Sequence, residues 1–223
     1  MEENPFNENE IAKQWIRSVE GEIGLIRDNE SYPILHDWYE TCNKGTLLDI
    51  GCGQGICSTK VGGYNSYIGI DPSQHLIERA NLMYESYNRQ FKVGNAYNIL
   101  VSDGICNSAI SLNVWFHLAD IDKASKELCR VLKSGGKFWI HTVNSDEVAT
   151  WLSLYINLEI DKNKAIGEAI VPVNNLSRNT YYFHTNEQVI EALEKYGLVV
   201  NKIKKLGEIK GKNVFVVFEG HKA

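Results

Sequence analysis

The sequence predicts an α/β fold in which seven strands form a mostly parallel sheet with helices on both faces and a C-terminal antiparallel hairpin strand. From about residue 46, short apolar segments alternate with amphipathic ones, as in successive β-α units. A glycine-rich turn follows the first apolar segment, and two strand-like segments joined by a Gly-containing turn end the chain. Successive β-α units place their strands in parallel, because each helix carries the chain back across the sheet.

Length and composition fit one domain, 1–223, with residues 1–44 as an N-terminal helical cap and residues 145–184 as a lid insertion. Forty-three per cent of the residues are apolar, enough for a buried core. No apolar stretch is long enough to span a membrane, and the polar N-terminus does not resemble a secretory signal. Five cysteines without C-x-x-C pairing indicate reduced thiols and a cytoplasmic protein. The net charge of −5 disfavours a nucleic-acid partner.

Two helices are predicted before the first strand. The first covers about residues 9–27, because apolar residues recur there every four positions, and Asn7 with Glu10 has the spacing of a capping box. The second follows Tyr32-Pro33. The residues expected on their inner faces are Ile11, Trp15, Val19, Ile23, Leu35, Trp38 and Tyr39.

The next elements alternate between strands and helices. A helix is predicted over about 55–61, a second opens at Pro72-Ser73, and a third is capped by Asp120 and ends at Gly135-Gly136. Leu76, Ile77, Ala80 and Met83 form one face of the second helix. The strands are predicted at 46–50, 67–70, 90–93, 107–112 and 137–143.

The C-terminal part completes the sheet. Thr185 and Gln188 form a capping box for a helix that ends at Gly197, and strands at 198–206 and 213–219 form the hairpin. The preceding segment, about 145–184, is too long for a structureless loop in a compact domain. Its apolar residues have helical spacing and predict a helix: Val148, Trp151, Leu152, Tyr155 and Leu158.

The segment LLDIGCGQG, residues 47–55, carries the strongest functional signal. A strand ending near Asp49 turns sharply at Gly51, Gly53 and Gly55, where bare backbone allows a ligand to approach. The next strand ends in Asp71. A strand, a glycine loop, a helix and a strand closed by an acid form a nucleoside-binding unit, whose acid is placed for the two ribose hydroxyls. The alternative for Asp71 is a helix N-cap, a role that Ser73 can also fill.

The glycine spacing separates this loop from dinucleotide sites. Those use G-x-G-x-x-G, and Ile56 stands at the position of the third glycine. The additional acid, Asp49, opposes a pyrophosphate but suits a ligand that carries ammonium and sulfonium groups. The run D-x-G-x-G-x-G resembles the first motif of the class I S-adenosylmethionine (SAM)-dependent methyltransferases, and similarity in four ordered motifs covers roughly 45–142. The resemblance implies a Rossmann-like fold, SAM as cofactor and S-adenosylhomocysteine as product.

The resemblance also implies roles for the cofactor-binding residues. Gly51 and Gly53 contact the methionine part of SAM through their backbone, Asp49 places its ammonium group, and Cys52 packs within the loop. Pro72-Ser73 and Leu76 resemble the continuation of the motif, with apolar groups flanking adenine. Gly55 completes the loop.

Two further motifs complete the resemblance. Asn95 stands where the family commonly has Asp, so its amide oxygen would accept from the adenine amino group, while the N–H of Ala96 meets the ring. A turn asparagine is the alternative for Asn95. The segment from Arg130 to Lys137 resembles the family's RVLKPGG turn, with Ser134 in place of proline.

The end of the fourth strand supplies the candidates for catalysis. Ligands of open α/β sheets bind outside the carboxyl ends of the strands, near the point where strand order reverses. Asn113 and Val114 are therefore expected beside the SAM sulfur, and His117 near the methyl acceptor as a candidate general base. A packing role is the alternative for His117. The Asn- or Asp-Pro-Pro-Tyr motif of DNA and protein-glutamine methyltransferases is absent.

The acceptor pocket is expected to be apolar and partly formed by the cap and the lid. Its candidate residues, each of which can equally belong to the core, are Trp15, Trp38, Trp151, Tyr155 and His184. We expect methyl transfer from SAM to a small molecule by in-line displacement, without a metal or a membrane partner. The alternatives are an RNA or protein methyltransferase, a non-catalytic SAM-binding protein and a nicotinamide oxidoreductase. The sequence does not determine the acceptor or the oligomeric state.

Overall fold

The computed structural model describes residues 9–20, 25, 27–169 and 178–223. Its strands, in chain order, are β1 (Thr46–Ile50), β2 (Ser66–Asp71), β3 (Arg89–Val93), β4 (Cys106–Leu112), β5 (Leu132–Val143), β6 (Tyr155–Asp161), β7 (Lys164–Ala169), β8 (Arg178–Tyr182), β9 (Leu198–Ile209) and β10 (Lys212–Lys222). Its helices are α1 (Asn9–Glu20), α2 (Tyr32–Glu40), α3 (Gln74–Tyr84), α4 (Ile121–Val131), α5 (Val148–Leu152) and α6 (Asn186–Glu194).

The main sheet confirms the predicted fold class. Its seven strands lie in the order β3-β2-β1-β4-β5-β10-β9. The pairs from β3 to β5 are parallel, and β10 is antiparallel to both of its neighbours. Strand order reverses at β1, so the carboxyl ends of β1, β2 and β4 face the same crevice.

Helices cover both faces of the main sheet, as predicted. Helices α2 and α3 pack on one face through residues that include Leu35 and Ile77. Helices α4 and α6 pack on the other face through Leu128 and Leu193. Ser73 caps α3 by accepting from Leu76 N, and the predicted capping box of α6 is formed by Thr185 and Gln188. Met83 is the exception to the predicted inner face of α3, because it is 47% exposed.

Two predicted element boundaries are wrong. The helix expected over 55–61 is a single 3₁₀ turn, Ile56–Thr59, because the hydroxyls of Ser58 and Thr59 bond back to the carbonyls of Gly55 and Ile56. Helix α4 ends at Val131, before the two glycines, and β5 begins directly afterwards. Gly135-Gly136 forms an irregularity within β5 and does not separate the two elements.

The N-terminal region contains two helices, and a π-helical turn directly precedes the second. Helix α1 buries Ala12 and Val19, while Trp15 is 37% exposed. The predicted contributions of Asn7 and Ile23 lie outside the described residues. Helix α2 follows the π turn Arg27–Ser31 and buries Leu35, Trp38 and Tyr39, as predicted.

The segment between β5 and α6 differs from the prediction. Its helix, α5, ends at Leu152, so Tyr155 and Leu158 lie on a strand. Strands β6, β7 and β8 form a separate antiparallel sheet, in which Asp161 pairs with Lys164 across a two-residue turn. Ser153 stops the helix, because its hydroxyl bonds to the carbonyl of Thr150. We call this three-stranded unit the insertion sheet; its description as a lid stays a prediction.

Two further expectations concern the state of the cysteines and membrane-spanning segments. The five cysteines are free thiols, and four of them are buried. A cytoplasmic location stays a prediction. Among the described residues, no helix is long and apolar enough to cross a membrane.

Candidate active site

A cavity of about 1040 Å³ opens at the carboxyl ends of β1, β2 and β4. Predicted site residues in its wall are Trp15, Asp49, Gly51, Cys52, Gly53, Asp71, Pro72, Asn95, Ala96, Asn113, Val114 and His117. They come from different segments of the chain, because the parallel strands end at one edge of the sheet. The cavity also contains residues from α1, the π turn and β8.

The glycine loop combines tight packing with one open surface. A side chain at Gly51 would collide with Val114, since an added Cβ would lie 2.2 Å from its Cγ2 atom. Gly53 has φ of +53° and no atom within 4 Å of an added Cβ. Its positive φ favours glycine, and its missing side chain leaves room for a ligand. Gly53 is therefore the position at which the loop can be approached most closely.

Asp71 connects the loop to the second strand. Its Oδ2 atom accepts from Gly53 N at 3.0 Å, and its Oδ1 atom accepts from Ser73 N at 2.9 Å. Ser73 itself caps α3, so the N-cap alternative for Asp71 does not apply. Burial raises the pKa of Asp71 to about 6. Each carboxylate oxygen keeps a lone pair that can accept from a ligand hydroxyl.

Asp49 lies at the other end of the loop. The hydroxyl of Tyr67 donates to its Oδ2 atom. Burial raises the pKa of Asp49 to about 7, although the bond from Tyr67 acts in the opposite direction. A buried carboxyl with one hydrogen bond is stabilised in its ionised form by a cationic ligand group. Burial also raises the pKa of the Cys52 thiol well above its usual value, which leaves it unreactive.

Asn95 has the geometry of a turn asparagine, which was the alternative to a role in adenine recognition. Its Oδ1 atom accepts from Tyr97 N at 2.9 Å, which is an Asx turn. The residue is exposed and still borders the cavity, so a second bond to its oxygen remains available. Ala96 is buried beside it, and Pro72 and Leu76 provide further apolar surface in the same wall.

Asn113 has an unusual backbone conformation next to the loop. Its φ is +61°, a left-handed value that asparagine tolerates better than most residues. Its N–H donates to the carbonyl of His141 at 3.0 Å. Its Oδ1 atom is buried and has no hydrogen-bond partner in the described part of the chain. Residues in rare backbone regions concentrate at functional sites, where the surrounding structure maintains them.

His117 is held as a neutral imidazole. Its Nδ1 atom lies 3.2 Å from the carbonyl oxygen of Thr180 on β8 and must donate, because that oxygen only accepts. The Nε2 atom is then the unprotonated nitrogen. Burial lowers the pKa of His117 to about 4. The ring packs on Tyr181, with centroids 5.2 Å apart. His117 therefore combines a fixed orientation with an available lone pair.

Five predicted site residues do not line this cavity: Gly55, Trp38, Trp151, Tyr155 and His184. An added Cβ at Gly55 would lie 2.8 Å from the Phe91 ring, so this glycine serves packing. Trp38 belongs to the core on the α2 face.

The three remaining residues support the cavity wall from behind. Trp151 and Tyr155 pack against each other with tilted rings, in an aromatic cluster that includes Phe116 and Tyr181. His184 donates from Nε2 to the carbonyl of Leu118 at 2.7 Å. These residues are spaced in the sequence as in a helix or a turn. Such spacing does not reveal whether a side chain faces a cavity or a core.

Sequence reasoning missed several residues of the cavity wall: Arg27, Tyr32, Asn179, Thr180 and Tyr182. The run from Thr180 to Phe183 is rich in β-branched and aromatic residues, a strand signal that could have predicted β8. No sequence signal distinguishes Arg27 from a surface arginine. Among the described residues, no cluster of three or more His, Cys, Asp or Glu side chains could hold a metal ion.

Residues 48–140 match the model of a family described as a methyltransferase domain. An uncharacterized methyltransferase of Bacillus subtilis, YcgJ, is 26% identical over 206 residues, which cover 89% of this chain and 76% of the relative. The human mitochondrial ubiquinone biosynthesis O-methyltransferase is 25% identical over 166 residues. That match covers 70% of this chain but only 42% of the human protein.

The fold has close structural counterparts. The crystal structure of a SAM-dependent methyltransferase from Clostridium acetobutylicum superposes with a TM-score of 0.75 and covers 94% of this chain and 98% of its own. The two sequences are 11% identical, so the likeness concerns the fold alone. The strand order of the sheet, the glycine loop and the family match thus all indicate the same methyltransferase family.

Proposed function

We propose that this chain, which belongs to the class I SAM-dependent methyltransferases, transfers a methyl group from SAM to a small-molecule acceptor. The observation that carries the proposal is the single cavity wall formed by the glycine loop, Asp71 and His117. SAM is the family's cofactor and supplies a methyl group already activated on a sulfonium. The protein's task is to bind and orient the two reactants and to accept a proton from the acceptor. Correct orientation can contribute roughly 7–11 kcal/mol to lowering the reaction barrier.

The cavity residues fit this cofactor. Asp49 and Asp71 offer carboxyls to an ammonium group and to ribose hydroxyls, and Gly53 leaves the loop open to close approach. Pro72, Leu76 and Ala96 would flank the adenine ring. Gly51 and Gly53 donate their N–H groups within the protein, so their carbonyl oxygens are the groups that remain for the cofactor.

The acceptor side of the cavity favours a small, largely apolar molecule. It is formed by His117, by Thr180 and Tyr182 of β8, and by Trp15 of α1. The Nε2 lone pair of His117 suits a reacting atom that carries an ionisable proton, as in a hydroxyl. The name of the human relative, an O-methyltransferase of ubiquinone biosynthesis, agrees with such an acceptor.

An RNA or protein substrate is the second candidate. A nucleic-acid enzyme is expected to show a basic surface leading to its site. Arg27 is the sole Lys or Arg side chain in the described wall of the cavity, and the whole chain carries a net charge of −5. These observations favour the small molecule.

A methyl-transfer assay tests the proposal. The protein is incubated with SAM that carries a labelled methyl group in three separate reactions. The acceptors in these reactions are a panel of hydroxylated aromatic compounds, total RNA and denatured protein. We expect label in the small molecules. Label only in RNA or protein would replace the proposal with the second candidate, and no transfer despite SAM binding would indicate a non-catalytic SAM-binding protein.

A further inference from the structure

Tyr67 is a fully buried tyrosine in the middle of the main sheet, behind the cavity wall. It lies on β2 and does not itself border the cavity. Strands that are covered on both faces usually carry aliphatic side chains, and a buried tyrosine hydroxyl needs a hydrogen-bond partner. Here that partner is the Oδ2 atom of Asp49, to which the Tyr67 hydroxyl donates. Among the described residues, Asp49 has no other hydrogen-bond partner, so its Oδ1 atom remains for a ligand.

The register of β1 and β2 brings the two side chains together. Leu47 pairs with Tyr67 and Asp49 pairs with Gly69, so Tyr67 and Asp49 lie on the same face of the sheet, two positions apart along the strands. Gly69 stands opposite Asp49, and an added Cβ there would lie 2.7 Å from the Phe91 ring. The same Phe91 ring packs on the Tyr67 ring, with centroids 5.7 Å apart. Packing therefore fixes the tyrosine ring in the orientation that directs its hydroxyl to Asp49.

The bond from Tyr67 also affects the charge of Asp49. Burial raises the pKa of Asp49 to about 7, the hydrogen bond from Tyr67 acts to lower it, and the nearby carboxylate of Asp71 acts to raise it. Asp49 attracts an ammonium group only when it is ionised. Without the hydroxyl, Asp49 would be a buried carboxyl with no hydrogen bond, and a larger share of it would be protonated at neutral pH.

Most other ionisable groups in this part of the cavity wall keep one charge state between pH 6 and pH 8. Burial raises the pKa values of Cys52, Cys57 and Tyr32 above their usual range, so these side chains stay neutral. The guanidinium of Arg27 is permanently charged. Asp71 is the exception, because burial raises its pKa to about 6. A measurement on Asp49 must therefore cancel the titration of Asp71.

We propose that Tyr67 is a positioning residue, which orients the Asp49 carboxylate toward the ammonium group of SAM from the second strand. It acts through Asp49 and does not touch the ligand. This inference rests on the proposed function, because it assigns a residue that prepares that site for its cofactor. A carboxylate that is oriented before the ligand arrives lowers the ordering cost of binding. The preference for ligands with an amino-acid group should therefore depend on the Tyr67 hydroxyl, whereas affinity for the nucleoside should not.

The experiment uses Tyr67→Phe, which removes only the hydroxyl. Calorimetric affinities are measured at pH 6, 7 and 8 for S-adenosylhomocysteine and for 5′-methylthioadenosine, which lacks the amino acid. Both ligands carry the ribose, so the titration of Asp71 cancels in the ratio of the two affinities. We expect the midpoint of the pH dependence of this ratio to rise by about one to two pH units, since a hydrogen bond to the ionised group is lost. At pH 7 the ratio should fall about 5- to 50-fold, with methylthioadenosine affinity almost unchanged.

Tyr64→Phe is the matched control. The Tyr64 ring packs on the Tyr67 ring with centroids 5.3 Å apart, but its hydroxyl donates to the carbonyl of Ser58. Tyr64 does not border the cavity. Its variant should keep the wild-type ratio at all three pH values, and circular dichroism confirms the folding of each protein.

Asp49→Asn, alone and combined with Tyr67→Phe, shows whether Tyr67 acts through Asp49. If it does, Tyr67→Phe changes the ratio by less than about twofold in the Asp49→Asn background. The double variant has no carboxyl at this position, so the comparison remains available if Tyr67→Phe alone does not fold. An equal loss in both backgrounds, or an unshifted pH profile of Tyr67→Phe, would overturn this inference alone. Failure of the wild-type protein to bind S-adenosylhomocysteine would overturn the proposed function and this inference with it.

Discussion

Replacing Asp71 by Ala is expected to weaken S-adenosylhomocysteine binding by at least about 100-fold. Hydrogen bonds to charged groups contribute about 1.5–3 kcal/mol each, and two ribose hydroxyls would lose their acceptor. The substitution also removes the bond from Gly53 N to Asp71 that orders the loop. Calorimetric titration of the wild-type and variant proteins measures the difference.

Two controls separate the ribose contact from loop order. Glu78→Ala removes an exposed acid of α3 that does not border the cavity, and its binding is expected to match that of the wild-type protein. The 2′-deoxy analogue of S-adenosylhomocysteine removes one ribose hydroxyl from the ligand. If Asp71 accepts from the ribose, Asp71→Ala discriminates less between the two ligands than the wild-type protein does. Undiminished affinity in Asp71→Ala would refute the ribose assignment.

Replacing His117 by Ala is expected to lower kcat by about 10²- to 10⁴-fold, the usual contribution of a general base. SAM affinity should stay within about twofold of the wild-type value, because the proposed role of His117 concerns the acceptor. His117→Gln can accept a hydrogen bond but cannot carry a proton, so it should be nearly as inactive. The measurements are kcat and SAM affinity, with an acceptor found in the methyl-transfer assay.

The pH dependence adds a second test of His117. Burial lowers the pKa of this side chain to about 4, so its Nε2 lone pair stays available far below the ordinary histidine value. At saturating SAM, wild-type kcat should therefore show no loss centred near pH 6.5. His36→Ala, an exposed histidine of α2, is the control and should have wild-type activity. Near-normal turnover of His117→Ala would assign His117 to packing.

The parts of the site that sequence predicted best are those in which local chain geometry and chemistry coincide. The loop from Gly51 to Gly55 and Asp71 follow strands whose apolar pattern is unambiguous, and fold rules then place their ends at one edge. The alternation of strands and helices similarly predicted the seven strands of the main sheet and their direction.

The acceptor side was predicted less well because tertiary packing determines it. Trp151 and Tyr155 have the spacing of one helix face, yet α5 stops at Leu152 and Tyr155 begins a strand. Both side chains pack within an aromatic cluster behind His117, and Thr180 of β8 reaches the cavity in their place. A single sequence does not show which aromatic face a cavity and which fill a core.

Arg27 is a further residue whose place in the cavity wall is determined by tertiary packing. The three residues that follow it, Asp28, Asn29 and Glu30, are acidic or polar, so it resembles a solvated surface residue. Tertiary packing, in which its guanidinium lies over the Tyr32 ring, brings it to the cavity wall.

The most direct test of the account is a calorimetric titration of the wild-type protein with SAM, S-adenosylhomocysteine and NAD⁺. It is best performed at pH 8, where Asp49 and Asp71, with pKa values raised to about 7 and about 6, are both ionised. We predict micromolar binding of SAM and S-adenosylhomocysteine and none of NAD⁺. Binding of NAD⁺ alone, or of none of the three ligands, would contradict the account.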